Sequence, residues 1–173
     1  RNGENMKKIN ILIFIMLIFA FILTGCSGSK ASGVTEGVKV NKEDLKIGFV
    51  HYSDPSDQGY TYTHDSSTWK MAAALGIDKS QIINKYNVPD TAEAATAFRE
   101  LAEDGCQIIF STSHGHEDYL LEVAFEYPNV VFCHFSGVKA ASSGLSNVHN
   151  YFGDIAQVRY LSGVVAGLTT KTN

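Results

Sequence analysis

From Leu45 onward, short runs rich in Ile, Val and Phe alternate with longer segments in which apolar residues recur every three or four positions. Lys46-Ile47-Gly48-Phe49-Val50-His51 reads as a first strand and Gln81-Ile82-Ile83-Asn84-Lys85-Tyr86 as a second. Cys106 to Phe110, Val130 to Phe135 and Asn147 to Phe152 read as a third, fourth and fifth. Their shortness and the punctuation between them separate them from helices.

The intervening segments carry helix signals. Tyr60 to Leu75 ends at Gly76. The Asp90 and Glu93 spacing predicts a capping box ahead of an apolar face formed by Ala94, Phe98, Leu101 and Ala102, with Gly105 as the stop. Glu117 to Glu126 carries Leu120, Leu121, Ala124 and Phe125 and is halted by Tyr127-Pro128. A last helix is expected from an Asp154 cap through Val158, Leu161, Val164, Val165 and Leu168, with Gly163 and Gly167 sharing a face suited to close backbone packing.

Strand and helix in strict alternation imply right-handed crossovers, hence an α/β domain: a doubly wound parallel sheet with helices on both faces. In such sheets a ligand binds outside the carboxyl ends of the strands, where the strand order reverses. The segments that follow strands one, three and four are His51 to Tyr62, Ser111 to His116, and Ser136-Gly137. Ser53, Asp57, Gln58, Tyr60, Thr61, Ser113, His114 and Ser136 are the candidate ligand-binding residues. The first loop leads into a helix N-terminus with free N–H groups, and Tyr60 and Tyr62 offer rings on which a flat heterocycle stacks. Asp54, Ser56 and Asp57 equally suit a turn and a cap, with Tyr60 packed on the sheet, and composition alone leaves both readings open.

Other chemistries fit less well. Ser113-His114 beside Asp54 has the residue types of a hydrolytic triad, but adjacent residues seldom face each other and no Gly-x-Ser-x-Gly turn is present. His114, His116, Glu117 and Asp118 are metal-ligand types, yet two acids at a helix start are explained by the helix dipole. No catalytic residue, metal or cofactor is expected. A net charge of −4 without a basic run beyond the N-terminus excludes a nucleic-acid footprint.

The N-terminal pattern is different in kind. Lys7 and Lys8 precede an apolar run from Ile11, which closes on Leu23-Thr24-Gly25-Cys26 and gives way to Ser27, Gly28, Ser29 and Lys30. Basic start, apolar middle and small-residue exit describe an export signal over residues 1–25, with residues 1–5 upstream of Met6 as the true start. The last four residues resemble a lipobox, in which the cysteine is lipidated. An uncleaved anchor is the alternative, though it has no need of Gly-Cys at its exit. Cys26 is thus assigned to lipid, residues 26–44 to a tether and residues 45–173 to the folded lobe. Cys106 and Cys133 fall in apolar stretches and read as buried thiols, with a disulfide open to geometry.

Four blocks together resemble the basic membrane protein (BMP) family of lipoproteins, the substrate-binding components of ABC importers. They are Ile47 to Val50, Asp57-Gln58-Gly59-Tyr60-Thr61-Tyr62-Thr63-His64-Asp65, Ile108 to Gly115, and Tyr151-Phe152-Gly153 with Arg159 to Gly167. The resemblance implies the N-terminal lobe of a type I periplasmic-binding-protein fold, with a crossover to a second lobe near Thr170 to Asn173 and a ligand held between lobes. It also implies a purine nucleoside, purine base or riboflavin as ligand, an ABC permease as partner, and a lipid anchor on the extracytoplasmic face of the membrane. Tyr60 stands where the family commonly has Trp, and His114 where an aromatic is common. A ligand-sensing lipoprotein that signals to a membrane partner is the alternative role on the same scaffold.

Overall fold

The computed structural model describes residues 39–172. The export signal, Cys26 and most of the tether lie outside the described residues. Five strands form one parallel sheet: β1 (Ile47–Val50), β2 (Ile82–Lys85), β3 (Ile108–Ser111), β4 (Val131–Phe135) and β5 (Val148–Tyr151). Their order is β2-β1-β3-β4-β5, with Ile47 opposite both Ile82 and Ile108, and Phe132 opposite Val148. All four residues of β1 are buried, as a central strand covered on both faces requires. Each strand lies within two residues of its sequence-based bounds.

Helices α1 (Tyr60–Leu75), α2 (Ala92–Glu103), α3 (Glu117–Glu126), α4 (Ala140–Ser143) and α5 (Ile155–Thr169) follow the strands in turn. One face of the sheet packs on α2 and α3 through Phe98, Leu101, Ile109, Leu120, Val123 and Phe132. The other packs on α1 through Ile47, Phe49, Ala72, Ile77 and Ile82, with Trp69 and Met71 beside them. Each large side chain so buried contributes about 1.5–3 kcal/mol. Gly76, at φ 62°, ends α1 in a left-handed turn that a side chain would strain.

Three expectations are corrected. The N-cap of α2 is Thr91, whose hydroxyl accepts the Glu93 N–H at 3.4 Å, so Asp90 is not part of a capping box. Asp154 precedes α5 but makes no side-chain cap bond. Nothing lies within 4 Å of a Cβ built on Gly163 or Gly167, so the close packing expected there is absent. The physical reason is that α5 does not fold back on the sheet. Val158, Leu161, Val165 and Leu168 are all exposed, Leu168 by 81%.

Cys106 and Cys133 are free thiols, one buried and one half-buried. Burial pushes each up to about 11. No helix among the described residues is long and apolar enough to cross a membrane.

Candidate functional site

The strand order places β2 on one side of β1, and β3 with the later strands on the other, so the order of strand addition reverses between β1 and β3. The loops leaving their carboxyl ends must diverge there and leave a crevice. Backbone strain gathers at the same edge. Gln58 (φ 45°), Asn87 (φ 58°) and Ser136 (φ 65°), following β1, β2 and β4, are the non-glycine residues in left-handed conformation among those described.

The first loop is organised by its acids. Asp54 Oδ1 accepts the Ser56 N–H at 2.8 Å. Asp57 accepts the N–H groups of Gly59 at 3.0 Å, Thr61 at 2.8 Å and Tyr62 at 3.0 Å, which closes the open end of α1. The Gly59 amide, followed by the others, holds the Asp57 carboxyl down to about 2. Its lone pairs thus serve the helix, as the turn-and-cap reading anticipates. Thr61 is turned inward, with 1% of its surface exposed. Gln58 is exposed, and Ser53 is half-buried with its carbonyl accepting the Asn87 N–H at 3.3 Å.

Tyr60 spans the crevice. Its hydroxyl donates to the Thr112 carbonyl at the end of β3, while the ring sits edge-on to His64 at 4.7 Å and to Phe135 at 6.1 Å. It remains 49% exposed, so it is a tethered ring with an open face. Phe135 continues the wall to Tyr151 at 5.4 Å and Phe152 at 5.0 Å, both of which are exposed. Sequence reading placed these three in strands and missed them as a surface. No local signal marks them, because the register that sets Phe135 beside Tyr151 on one sheet face arises only from strand pairing.

On the other side of the crevice, Ser113 Oγ donates to Asp90 Oδ1 at 2.7 Å, and His114 Nδ1 lies 3.5 Å from Ser136 Oγ. Asp90 also lies 3.2 Å from His116 Nε2, so the acid assigned by spacing to a helix cap instead anchors the β3 loop. The triad reading fails on this geometry: Ser113 is held by Asp90, and Asp54 is engaged with Ser56. Nor do the metal-type residues gather. His116 is buried against Ser111 and the Val88 carbonyl, Glu117 accepts the Lys139 N–H, and Asp118 pairs with the Lys139 ammonium. Among the described residues no cluster of three or more His, Cys, Asp or Glu is placed to hold a metal.

Beneath the edge lie three fully buried histidines, His51, His116 and His134. His51 bridges β1 to β2 and β3, with Nε2 3.1 Å from Asn84 Oδ1 and Nδ1 3.3 Å from Thr112 Oγ1. Desolvation lowers all three below the usual imidazole value and so favours their neutral form. The nearby Lys85 pairs with Glu100 at 2.7 Å. An edge of hydroxyls and aromatic rings suits an uncharged, flat, polar molecule.

Known proteins are similar to this chain. A family model described as "ABC transporter substrate-binding protein PnrA-like" matches residues 44–173. A purine-binding protein of Brucella abortus is 35% identical over 130 residues, covering 75% of this chain and 36% of its own. A protein of Haloferax volcanii that carries the name ABC transporter glucose-binding protein is 27% identical over 141 residues, covering 82% and 33%. The solved structure of an ABC transporter solute-binding protein from Conexibacter woesei superposes with a TM-score of 0.59 at 22% identity, over 71% of this chain and 40% of that one. The chain spans about a third of the length of these curated relatives. A match that runs from Asp44 through all five strands and α5 means that the chain belongs to the family of PnrA-like ABC transporter substrate-binding proteins.

Proposed function

We propose that this chain is the N-terminal lobe of a lipid-anchored, extracytoplasmic receptor that binds a purine nucleoside or free purine base and delivers it to an ABC permease. The observation that carries the reading is the half-exposed ring of Tyr60 at the β1/β3 crevice, continued by Tyr151 and Phe152. A purine gains about 1–3 kcal/mol from stacking on one such ring. Ser136 and His114 supply polar contacts to ring or ribose heteroatoms, with Ser53, Gln58 and Ser113 nearby. Asp57 and Thr61 act at one remove, by fixing the start of α1 so that Tyr60 faces the crevice. The purine-binding relative supports this ligand class over the sugar in the name of the more distant one.

Residues 1–25 serve as the export signal, Cys26 as the lipid attachment point and residues 26–44 as the tether. No chemical step is required of the protein. Ligand binding shifts an open two-lobe ensemble to a closed one that the permease engages. Calorimetric titration of the intact protein with adenine, adenosine, guanosine, inosine, riboflavin and glucose tests the assignment. Heat from the purines alone is expected; heat from glucose alone, or from none of the six, overturns it.

A further inference from the structure

His134, within β4, is fully buried, and neither ring nitrogen has a hydrogen-bond partner. Such an orphan is costly in a protein interior and calls for an explanation. Next to it is Glu117, the first residue of α3, itself only 5% exposed. Glu117 Oε1 accepts the Lys139 N–H at 2.7 Å and the Asn150 side-chain N–H at 3.2 Å, and Asn150 Oδ1 accepts the Ala140 N–H at 2.8 Å. Together the carboxylate and the amide grip the segment that enters α4.

Gly137 shows how tight the arrangement is. A Cβ at that position would overlap Glu117 Oε1, Asn150 Nδ2 and His134 Nδ1 at once, so the three polar atoms converge on one point. The gripped segment begins directly after Ser136, whose left-handed backbone sets its hydroxyl 3.5 Å from His114.

We propose that His134 and Glu117 are positioning residues that form a proton-operated latch beneath Ser136, closed at neutral pH and loosened by acid. The latch rests on the reading that Ser136 and His114 face the ligand. Neutral His134 carries one ring proton, with the Ser113 backbone the nearest group to favour holding it. Protonation puts a hydrogen on both and sets a positive charge across the Gly137 site from the Glu117 oxygen that already serves Lys139 and Asn150. The charge draws the carboxylate toward the imidazolium and away from the Lys139 amide, and the loop loses its hold.

Every element around His134 bears on when this happens. Burial opposes the imidazolium, Glu117 of α3 and the Ser113 backbone favour it, and His116 and His114 oppose it. Its register partners in β3 and β5, Ser111 and Asn150, are neutral, and Asp118 and Lys139 pair with each other farther out. Burial is the largest influence, and the folded-state value lies below 6.5. The latch is therefore fully closed above that value and opens as pH falls beneath it.

Two measurements on the intact protein test this. Adenosine affinity, taken at about pH 7.5 and about pH 5.5 to bracket the imidazole range, is expected to weaken roughly fivefold in the wild type and less than about twofold in His134→Gln and Glu117→Gln. Glu117→Gln keeps a carbonyl acceptor for Lys139 and so guards against a variant that fails to fold. Independently of any ligand, hydrogen-exchange protection of the Lys139 amide is expected to fall with acid in the wild type and to stay level in both variants. Equal pH dependence of protection in all three proteins overturns the latch. Absent adenosine binding at neutral pH, with protection behaving as expected, overturns the ligand reading and leaves the latch standing.

Discussion

Removing the Tyr60 ring tests both the position and the chemistry of the crevice. Tyr60 touches its surroundings in two separable ways: the hydroxyl donates to the Thr112 carbonyl, and the ring leans edge-on against His64 and Phe135 while keeping 49% of its surface open. Tyr60→Phe deletes only the first. The lost hydrogen bond is worth about 0.5–1.5 kcal/mol, and the platform survives with a looser hold on its angle, so adenosine affinity should fall by less than about tenfold. Tyr60→Ala deletes both, and the stacking contribution of about 1–3 kcal/mol converts to a loss of roughly fivefold to 150-fold. Tyr60→Trp enlarges the stacking face but surrenders the phenolic tether, so its affinity should lie between wild type and Ala. Burial pushes the Tyr60 phenol above its ordinary value of 10.0, so it stays a donor throughout a neutral-pH titration. Isothermal titration of the four proteins with adenosine gives the ranking. A Tyr60→Ala protein that binds within twofold of wild type would refute stacking on this ring.

Asp57→Ala should lower the thermal midpoint by leaving the amides of Gly59, Thr61 and Tyr62 without an acceptor, and Asp57→Asn should recover much of it. Because the folded carboxyl is held down to about 2 from 3.8, its stabilisation is complete above the higher value and is lost as pH falls through the lower. Thermal melts across that window, compared with those of the Asn variant, check the sign. An isolated polypeptide of residues 39–172 should self-associate through the exposed Val158, Leu161, Val165 and Leu168, and Leu161→Lys with Leu168→Lys should restore a monomer. Sedimentation velocity decides it, a monomeric wild type being the contrary result. Cys26→Ala should abolish fatty-acid incorporation and leave the precursor uncleaved; label that persists in the variant would overturn the lipobox assignment.

The strands were legible because each is a compact apolar run between helix signals, and strict alternation then dictated a parallel sheet. The crevice was legible for the same reason, as a consequence of connectivity rather than of any one residue. What connectivity does not specify is which way a side chain turns. Asp90 satisfies a local spacing rule that Thr91, one residue on, satisfies better, and contacts with Ser113 and His116 from a distant loop settle its role. Thr61 follows Tyr60 directly yet is buried, because successive helix positions point about 100° apart. The burial of His51 and His116 left no trace in pattern, since one follows a strand and the other sits in a turn, whereas His134 alternates with Phe132 on the buried face of β4. Expected packing of Gly163 and Gly167 failed because periodicity reports an apolar stripe without saying what it meets.

The two free thiols make this lobe a natural reporter of its own breathing. Cys106 is 2% exposed and Cys133 faces the register partner Phe110 across two central strands, both with thiols held near 11. A neutral thiol that is enclosed, as at Cys106, or partly covered, as at Cys133, reacts slowly with an alkylating reagent, whereas the same group in an opened chain reacts more readily. The rate of labelling therefore counts excursions out of the native state, in the manner of hydrogen exchange but with a mass tag that survives digestion. Cys106 reads the start of β3 beneath Leu101 of α2, and Cys133 reads the middle of β4. Comparing the two rates with and without a purine would show whether ligand steadies the whole sheet or only the edge it touches, with no label engineered in.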